Sequence, residues 1–401
     1  MAGWGAMQTQ GFNVFRLSRI VAALSATSAP IVFTFAVLQA AGNPDVLAQA
    51  LGLQILAQLA ALLVSGPLID RLNRKWFLVA MQAAAGTTWA CFAVVLLAGD
   101  PPGAVFPAFG GLTGLVSGLN GPATQSVLSH LVAREELKSK LADLRIALNT
   151  VSVIAPVAAG ILLGVAPAGA VVLGLAAANL ASALQLLRLP AMKAERPAVV
   201  ARTADAGRGP LLPAWFWAAV AGTALMNVLW AGYYQLNGPV ILRDTSTAPE
   251  LAWGIASAAL GAGMVLGGIV FKRVTFAKPR STPLLLLAGK ALPLAVLGLW
   301  PHPALLAFAA FCTGVMLEAF VVNFHAQLQL GVPGHFLGTA YSLDAFVGMA
   351  LMPAGYALAA SGSLDRAGSQ LAAAGVTAFL ALAAWFAVRM ARDAGKVPER
   401  V

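Results

Sequence analysis

Apolar runs of about 20 or more residues recur along the chain, each long enough for a helix to cross a bilayer core of ~30 Å. Short polar stretches separate them and place six spans at roughly 14–40, 46–69, 76–98, 104–130, 138–163 and 167–188. Six more follow at roughly 213–240, 250–271, 281–300, 303–329, 335–360 and 367–390. In lipid a spanning segment must satisfy its own backbone, so the pattern predicts twelve helices and an all-α membrane protein. The longest polar stretch runs through Pro190, Lys193, Glu195, Arg196, Arg202, Asp205, Arg208 and Pro210, with six spans on either side. The expected organisation is two pseudo-symmetric six-helix bundles, 1–189 and 213–401, joined by a cytoplasmic linker over 190–212.

Composition narrows the class. The 401 residues are 59% hydrophobic with mean hydropathy +0.81, well above the 45–50% apolar share of soluble domains. The net charge of +10 could point to nucleic acid, but its placement argues otherwise. With alternate loops on opposite sides, one side holds Arg71, Arg74, Lys75, Arg134, Lys138, Lys140, the linker cations and Arg389 to Arg400. The other side holds only Arg243 and Arg366. By the positive-inside rule both termini are expected in the cytoplasm, and no nucleic-acid partner is expected. Cys91 and Cys312 fall inside spans, so neither a disulfide framework nor a metal site is expected. The first apolar run is too long for a signal-peptide core, and no cleavable signal is expected.

The halves echo one another. Thr113-Gly114 opens a small-residue helix, followed later by Ala155-Pro156-Val157-Ala158-Ala159-Gly160. Thr313-Gly314 opens its counterpart, and Met352-Pro353-Ala354-Gly355 stands where the second proline motif belongs. Internal repeats of this kind mark secondary transporters with a midplane site.

One polar hinge is unusually dense in charge. Gly66-Pro67-Leu68-Ile69-Asp70-Arg71-Leu72-Asn73-Arg74-Lys75 carries four charged residues in a chain that is 10% charged. Gly66 permits close helix approach, and Pro67 and Asn73 are expected to end or turn the chain. The pattern Gly-x-x-x-Asp-Arg-x-x-Arg-Lys between two spans resembles the signature loop of the major facilitator superfamily. That resemblance implies a transporter working by alternating access, with this loop as a cytoplasmic latch. Asp70 would meet the N-terminal end of the eleventh span near Gly334, a contact worth about 0.3–1 kcal/mol. Arg71, Arg74 and Lys75 would add ion pairs or hold anionic lipid headgroups.

Ionisable groups in mid-membrane are costly and default to functional candidates. Glu318 lies about eleven residues from the cytoplasmic end of span ten, roughly 16 Å deep at 1.5 Å per residue. His325 and Gln329 share its helical face, and Asp344 lies within span eleven. Low dielectric disfavours a charged carboxylate, which suits reversible protonation, so Glu318 and then Asp344 are the proton-coupling candidates. Lys290 is expected to snorkel or to partner a carboxylate. Polar stripes outline a cavity: Thr113, Ser117, Asn120 and Thr124 in span four, Gln54, Gln58 and Ser65 in span two. Thr223, Asn227, Trp230 and Tyr234 repeat the rhythm in span seven. Helix packing through polar contacts would produce the same stripes. As a cavity wall they suit an amphiphilic organic molecule.

Several short motifs resemble one bacterial group within the superfamily, the enterobactin exporters and macrolide efflux proteins. They are Phe15-Arg16-Leu17, Asn120-Gly121-Pro122-Ala123, Ala155-Pro156, Val332-Pro333 with Leu337-Gly338, Ser342-Leu343-Asp344 and Met352-Pro353-Ala354-Gly355-Tyr356. The resemblance implies export of a drug, siderophore or natural product from the bacterial cytoplasmic (inner) membrane, driven by protons. Pro156 and Gly160 carry what remains of the antiporter motif, which here reads Ala-Pro-Val-Ala-Ala-Gly. Expected partners are a small-molecule substrate, protons and membrane lipids, with a monomeric chain and no cofactor. The alternatives are a lysophospholipid flippase, an uptake permease or a polytopic membrane enzyme. The four histidines are scattered, without a nucleophile or metal motif, which argues against the enzyme.

Overall fold

The computed structural model describes residues 2–71, 73–131, 137–189, 212–271, 274, 276, 278–332, 334–361 and 366–394. Side chains are described for most of these, but not for 66–71, 74, 121–131, 334–335 and 338 among others. The first half contains α1 (Ala2–Ala41), α2 (Pro44–Arg71), α3 (Arg74–Leu97), α4 (Val105–Leu131), α5 (Leu137–Val165) and α6 (Ala168–Leu187). In the second half, span seven comprises α7 (Ala214–Leu229), a π-helical segment Trp230–Leu236 and α8 (Asn237–Thr245). Span eight is α9 (Pro249–Phe271), and span nine joins a 3-10 segment, Thr282–Lys290, to α10 (Ala291–Leu299). Spans ten to twelve are α11 (Pro303–Gly331), α12 (Gly334–Ala350) with α13 (Met352–Ala360), and α14 (Arg366–Ala394).

Among the described residues, eleven helical stretches are long and apolar enough to cross a membrane. The remaining predicted span coincides with α4, whose side chains from 121 to 131 are not described. Large apolar side chains such as Leu63, Val94, Leu299, Phe308 and Phe379 are more than half exposed. Such surfaces are stable against lipid, not against water.

The chain divides into two compact units, Met1–Ala201 and Arg202–Val401. Within the first, α1 packs on α5 and α6, α2 on α4, and α3 on α6. Within the second, span seven packs on spans eleven and twelve, span eight on span ten, and span nine on span twelve. The same pairing order thus occurs twice, six spans apart. The Thr-Gly repeat lies at two of its closest approaches. A Cβ on Gly114 would stand 2.1 Å from the Gln54 carbonyl oxygen, and one on Gly314 the same 2.1 Å from that of Leu260. Only a hydrogen fits, so these glycines set how closely the paired helices approach.

Three spans of the second unit are interrupted near a proline. Pro353 cannot donate to the Met349 carbonyl, and α12 gives way to α13 at Leu351. Pro293 leaves the Gly289 carbonyl without its usual donor, and Thr313 Oγ1 donates to it at 2.8 Å. The π segment lies just before Pro239; its Tyr233 carbonyl accepts from Gln370 Nε2 of α14 at 2.9 Å. A long-range side chain therefore takes up the bond given up at Tyr233 and adds one at Gly289, whose carbonyl also accepts a backbone N–H. Pro67 differs from its expected role: α2 runs through it to Arg71. Asn73 does turn the chain, capping α3 by accepting from the Lys75 and Trp76 backbone N–H groups.

Candidate functional site

The polar residues singled out in the spans fall into three settings. In the first unit, α2 and α4 bring Gln54 and Thr113 together, with Gln54 Nε2 donating to Thr113 Oγ1 at 3.4 Å. Gln54, Gln58 and Asn120 are half-buried and Ser117 is exposed. The Thr124 side chain lies outside the described residues, as do those of Gly66, Asp70, Arg71 and Arg74. Lys75 is described and does something unforeseen. Its buried Nζ donates to the Leu187 and Leu189 carbonyls at 2.9 and 2.5 Å, closing the C-terminal end of α6. A cation there meets the negative end of the helix dipole and satisfies orphan acceptors. Pro156 and Gly160 are buried in α5. One turn of that helix meets α1, where Ser28 Oγ donates to the Ala155 carbonyl at 3.2 Å.

The second setting is the carboxylate region of spans ten and eleven. Glu318 is half-buried on α11 and packs against the glycines of α9. A methyl on Gly267 would meet its Cβ at 3.0 Å, and one on Gly268 its Cγ at 3.7 Å. Those glycines are part of the α9 helix. His325 Nε2 stands 4.0 Å from Asp344 Oδ2, and its ring meets Tyr341 edge-on at 5.1 Å. Gln329 Nε2 donates to the Tyr341 hydroxyl at 3.2 Å. Sequence spacing placed Glu318, His325 and Gln329 on one face; the structure adds Asp344 and Tyr341 across from the last two.

The third setting lies inside the second unit. Trp230 and Tyr234 stack with centroids 4.0 Å apart, and Trp253 of α9 lies 4.8 Å from Tyr234. All three are buried, so these aromatics serve packing within the unit. Asn227 is half-buried; its Nδ2 donates to the Gly348 carbonyl at 2.9 Å and its Oδ1 accepts from Lys290 Nζ at 2.5 Å. Lys290 is only 5% exposed, and its ammonium sits over the Trp230 ring at 5.6 Å. It does not snorkel, and among the described residues no carboxylate pairs with it. Sequence reasoning missed this placement, because a lysine in an apolar helix does not reveal which way its side chain turns.

Comparison with known proteins identifies the architecture. A family model described as Major Facilitator Superfamily matches residues 17–356. The chain belongs to that superfamily. Membership makes it a multi-pass membrane transporter and not an enzyme. No functionally curated protein matches it by sequence. Among solved structures it resembles the nucleoside transporter NupG, with TM-score 0.73 and 14% identity over 96% of this chain and 99% of that one. It also resembles a bacterial homologue of the iron transporter ferroportin in an inward-facing state, with TM-score 0.71 and 17% identity over 96% and 98%. A bacterial homologue of the human lysosomal transporter Spinster gives TM-score 0.71 and 13% identity over 98% and 99%. At these identities the likeness is one of fold, in keeping with the twelve helices expected from hydropathy and with the family that the signature loop resembles.

Proposed function

We propose that this superfamily member is a proton-coupled exporter of an amphiphilic small organic molecule in a bacterial cytoplasmic membrane, working by alternating access. The observation that carries the reading is the group of titratable side chains in spans ten and eleven. Glu318 stands near the middle of α11, and Asp344 stands beside His325. Carboxylates held in an apolar helix are retained against a desolvation cost, and reversible neutralisation is the commonest use of that cost. Glu318 carries the coupled proton and Asp344 with His325 relays or balances it. Half-buried amides and an exposed hydroxyl of the first unit, Gln54, Gln58, Asn120 and Ser117, offer hydrogen bonds to a polar headgroup. Asp70 with Arg71 and Arg74 acts as the cytoplasmic latch. The short motifs shared with enterobactin and macrolide exporters support export as the direction.

The test is accumulation of a panel of hydrophobic compounds in inverted vesicles under an imposed proton gradient. Glu318→Gln keeps size and most hydrogen bonding but cannot titrate. It should abolish accumulation by at least about tenfold while leaving downhill exchange, the loss expected when a coupling step is removed. Accumulation by Glu318→Gln with unchanged pH dependence would remove the assignment and pass it to Asp344.

A further inference from the structure

The buried Lys290 of span nine is not used by the coupling scheme above, and its surroundings are unusual. Its ammonium touches an amide oxygen and an aromatic face, Asn227 Oδ1 at 2.5 Å and Trp230 at 5.6 Å. An ammonium buried with only neutral partners carries a large desolvation cost. The same amide reaches the opposite way, to the Gly348 carbonyl at 2.9 Å. One side-chain chain thus ties span nine to span seven and span seven to span eleven.

All three tied helices are irregular at the tie. Asn227 lies three residues before the π segment that begins at Trp230. Lys290 is the last residue of the 3-10 segment, at its junction with α10. Gly348 lies in the last turn of α12, just before the break at Leu351. A nine-residue 3-10 run is long for that geometry, and π segments inside helices cluster at functional positions. Regular helices would hold themselves at this level; these depend on side-chain bonds.

We propose that Lys290 is a second proton-binding site of the transporter, whose occupancy locks spans seven, nine and eleven together. With the proton bound, the ammonium makes a charge-assisted bond to Asn227 and a cation–π contact to Trp230. With the proton released to solvent, the neutral amine keeps at most an ordinary hydrogen bond, roughly half as strong. The tie slackens and the three irregular segments gain freedom. The groups that face this site leave the lysine as its centre. Span seven contributes Asn227, Trp230 and the buried Tyr234, whose hydroxyl has no hydrogen-bond partner among the described residues. The neighbouring Tyr356 of span eleven donates to Gln235 at 2.6 Å. Span ten faces span nine with Thr313 and Met316, while Glu318 faces the glycines of span eight. Span twelve contributes Gln370 and Leu371 against Gly298, and its Arg366 is paired with Asp244. The site stands independently of the Glu318 assignment.

Hydrogen–deuterium exchange of the purified full chain, measured from pH 6 to pH 9 and corrected for intrinsic exchange, tests it without a transported substrate. In the wild type, peptides covering 227–236, 284–292 and 346–352 should lose protection together by about tenfold as pH rises, the scale of one charge-assisted hydrogen bond. Lys290→Arg keeps a charge that does not titrate and should hold protection across the range. Lys290→Met should give low protection at every pH. Asn227→Leu removes the acceptor and should flatten the response as well, which serves if the arginine variant does not accumulate. In Glu318→Gln the wild-type transition should persist. A wild-type profile independent of pH, a transition retained in Lys290→Arg or Asn227→Leu, or one lost in Glu318→Gln would each overturn the proposal.

Discussion

The two six-span units pair their helices in the same order but fill their interiors differently. In the first, α1 meets α6 through small neutral groups: Ser18 and Ser182 hydroxyls lie 2.8 Å apart, and Asn179 donates to Ser25 at 2.6 Å. An aromatic cluster of Phe33, Trp89, Phe92, Phe106 and Phe109 packs in the same unit, whose buried Lys75 caps the end of α6. Its helices run without π or 3-10 interruptions among the described residues. The second unit buries Lys290, interrupts three spans near it and bridges the irregular segments with side-chain bonds from Thr313, Gln370 and Asn227. Two copies of one packing plan have diverged into a regular scaffold and an adjustable one. The adjustable copy also holds Glu318 and Asp344, so the titratable chemistry and the irregular backbone coincide.

The largest expected effect tests what the copies share. Gly114→Leu and Gly314→Leu each drive a side chain into a carbonyl oxygen that is already at the distance of a Cβ clash. Neither neighbour is a flexible side-chain tip, so the helices must part. Each should cost at least about 3 kcal/mol and abolish folded, monodisperse protein on size exclusion. Gly52→Leu and Gly375→Leu, where a Cβ would meet nothing within 4 Å, should behave like wild type. Tolerance of Gly314→Leu alone would show that the second unit has lost the shared constraint.

A smaller effect tests where the copies differ. Asn227→Leu leaves the Lys290 ammonium buried without an acceptor and should lower stability by about 3 kcal/mol. Asn179→Leu, in the first unit, removes a neutral bond to Ser25 and should cost about 1 kcal/mol. Thermal unfolding midpoints in detergent rank the two. Equal midpoints would mean that the charge in the second unit adds nothing to its tie.

How much of this was legible in the sequence follows from the range of each interaction. Apolar run length gives the spans, because a bilayer enforces one backbone solution; the Thr113-Gly114 and Thr313-Gly314 echo gives the repeat, because close helix contact needs a hydrogen there. The irregular spans were read as continuous. Pro67 sits inside a helix that continues past it, whereas Pro353 accompanies a break. A distant group can satisfy a freed carbonyl, as Gln370 does for Tyr233, 137 positions away, and no local pattern shows this. Lys290 was misread for the same reason: its partner Asn227 is 63 positions earlier, and no local pattern sets the rotation of span nine. The stripe in span seven was real but divided in role, with Asn227 tying helices and Trp230 with Tyr234 packing. Glu318, His325 and Gln329 were legible because they share one helix, where spacing fixes the face.

The smallest expected effect separates the buried tie from a surface one in the same unit. Asp244, in the last turn of α8, pairs with Arg366 at the start of α14 and with its neighbour Arg243. The Arg366 and Asp244 side chains are 56% and 44% exposed. Water and salt screen such a pair, and ordering two long side chains offsets much of its attraction. Asp244→Asn should therefore lower stability by less than about 1 kcal/mol, and the loss should fade as ionic strength rises. The Asn227→Leu loss should persist in high salt, because a group that is 5% exposed is beyond the reach of mobile ions. Unfolding midpoints of both variants across a salt series read the difference directly. An Asp244→Asn loss that is large and insensitive to salt would make the Arg366 pair, not the Lys290 tie, the principal electrostatic contact of the second unit.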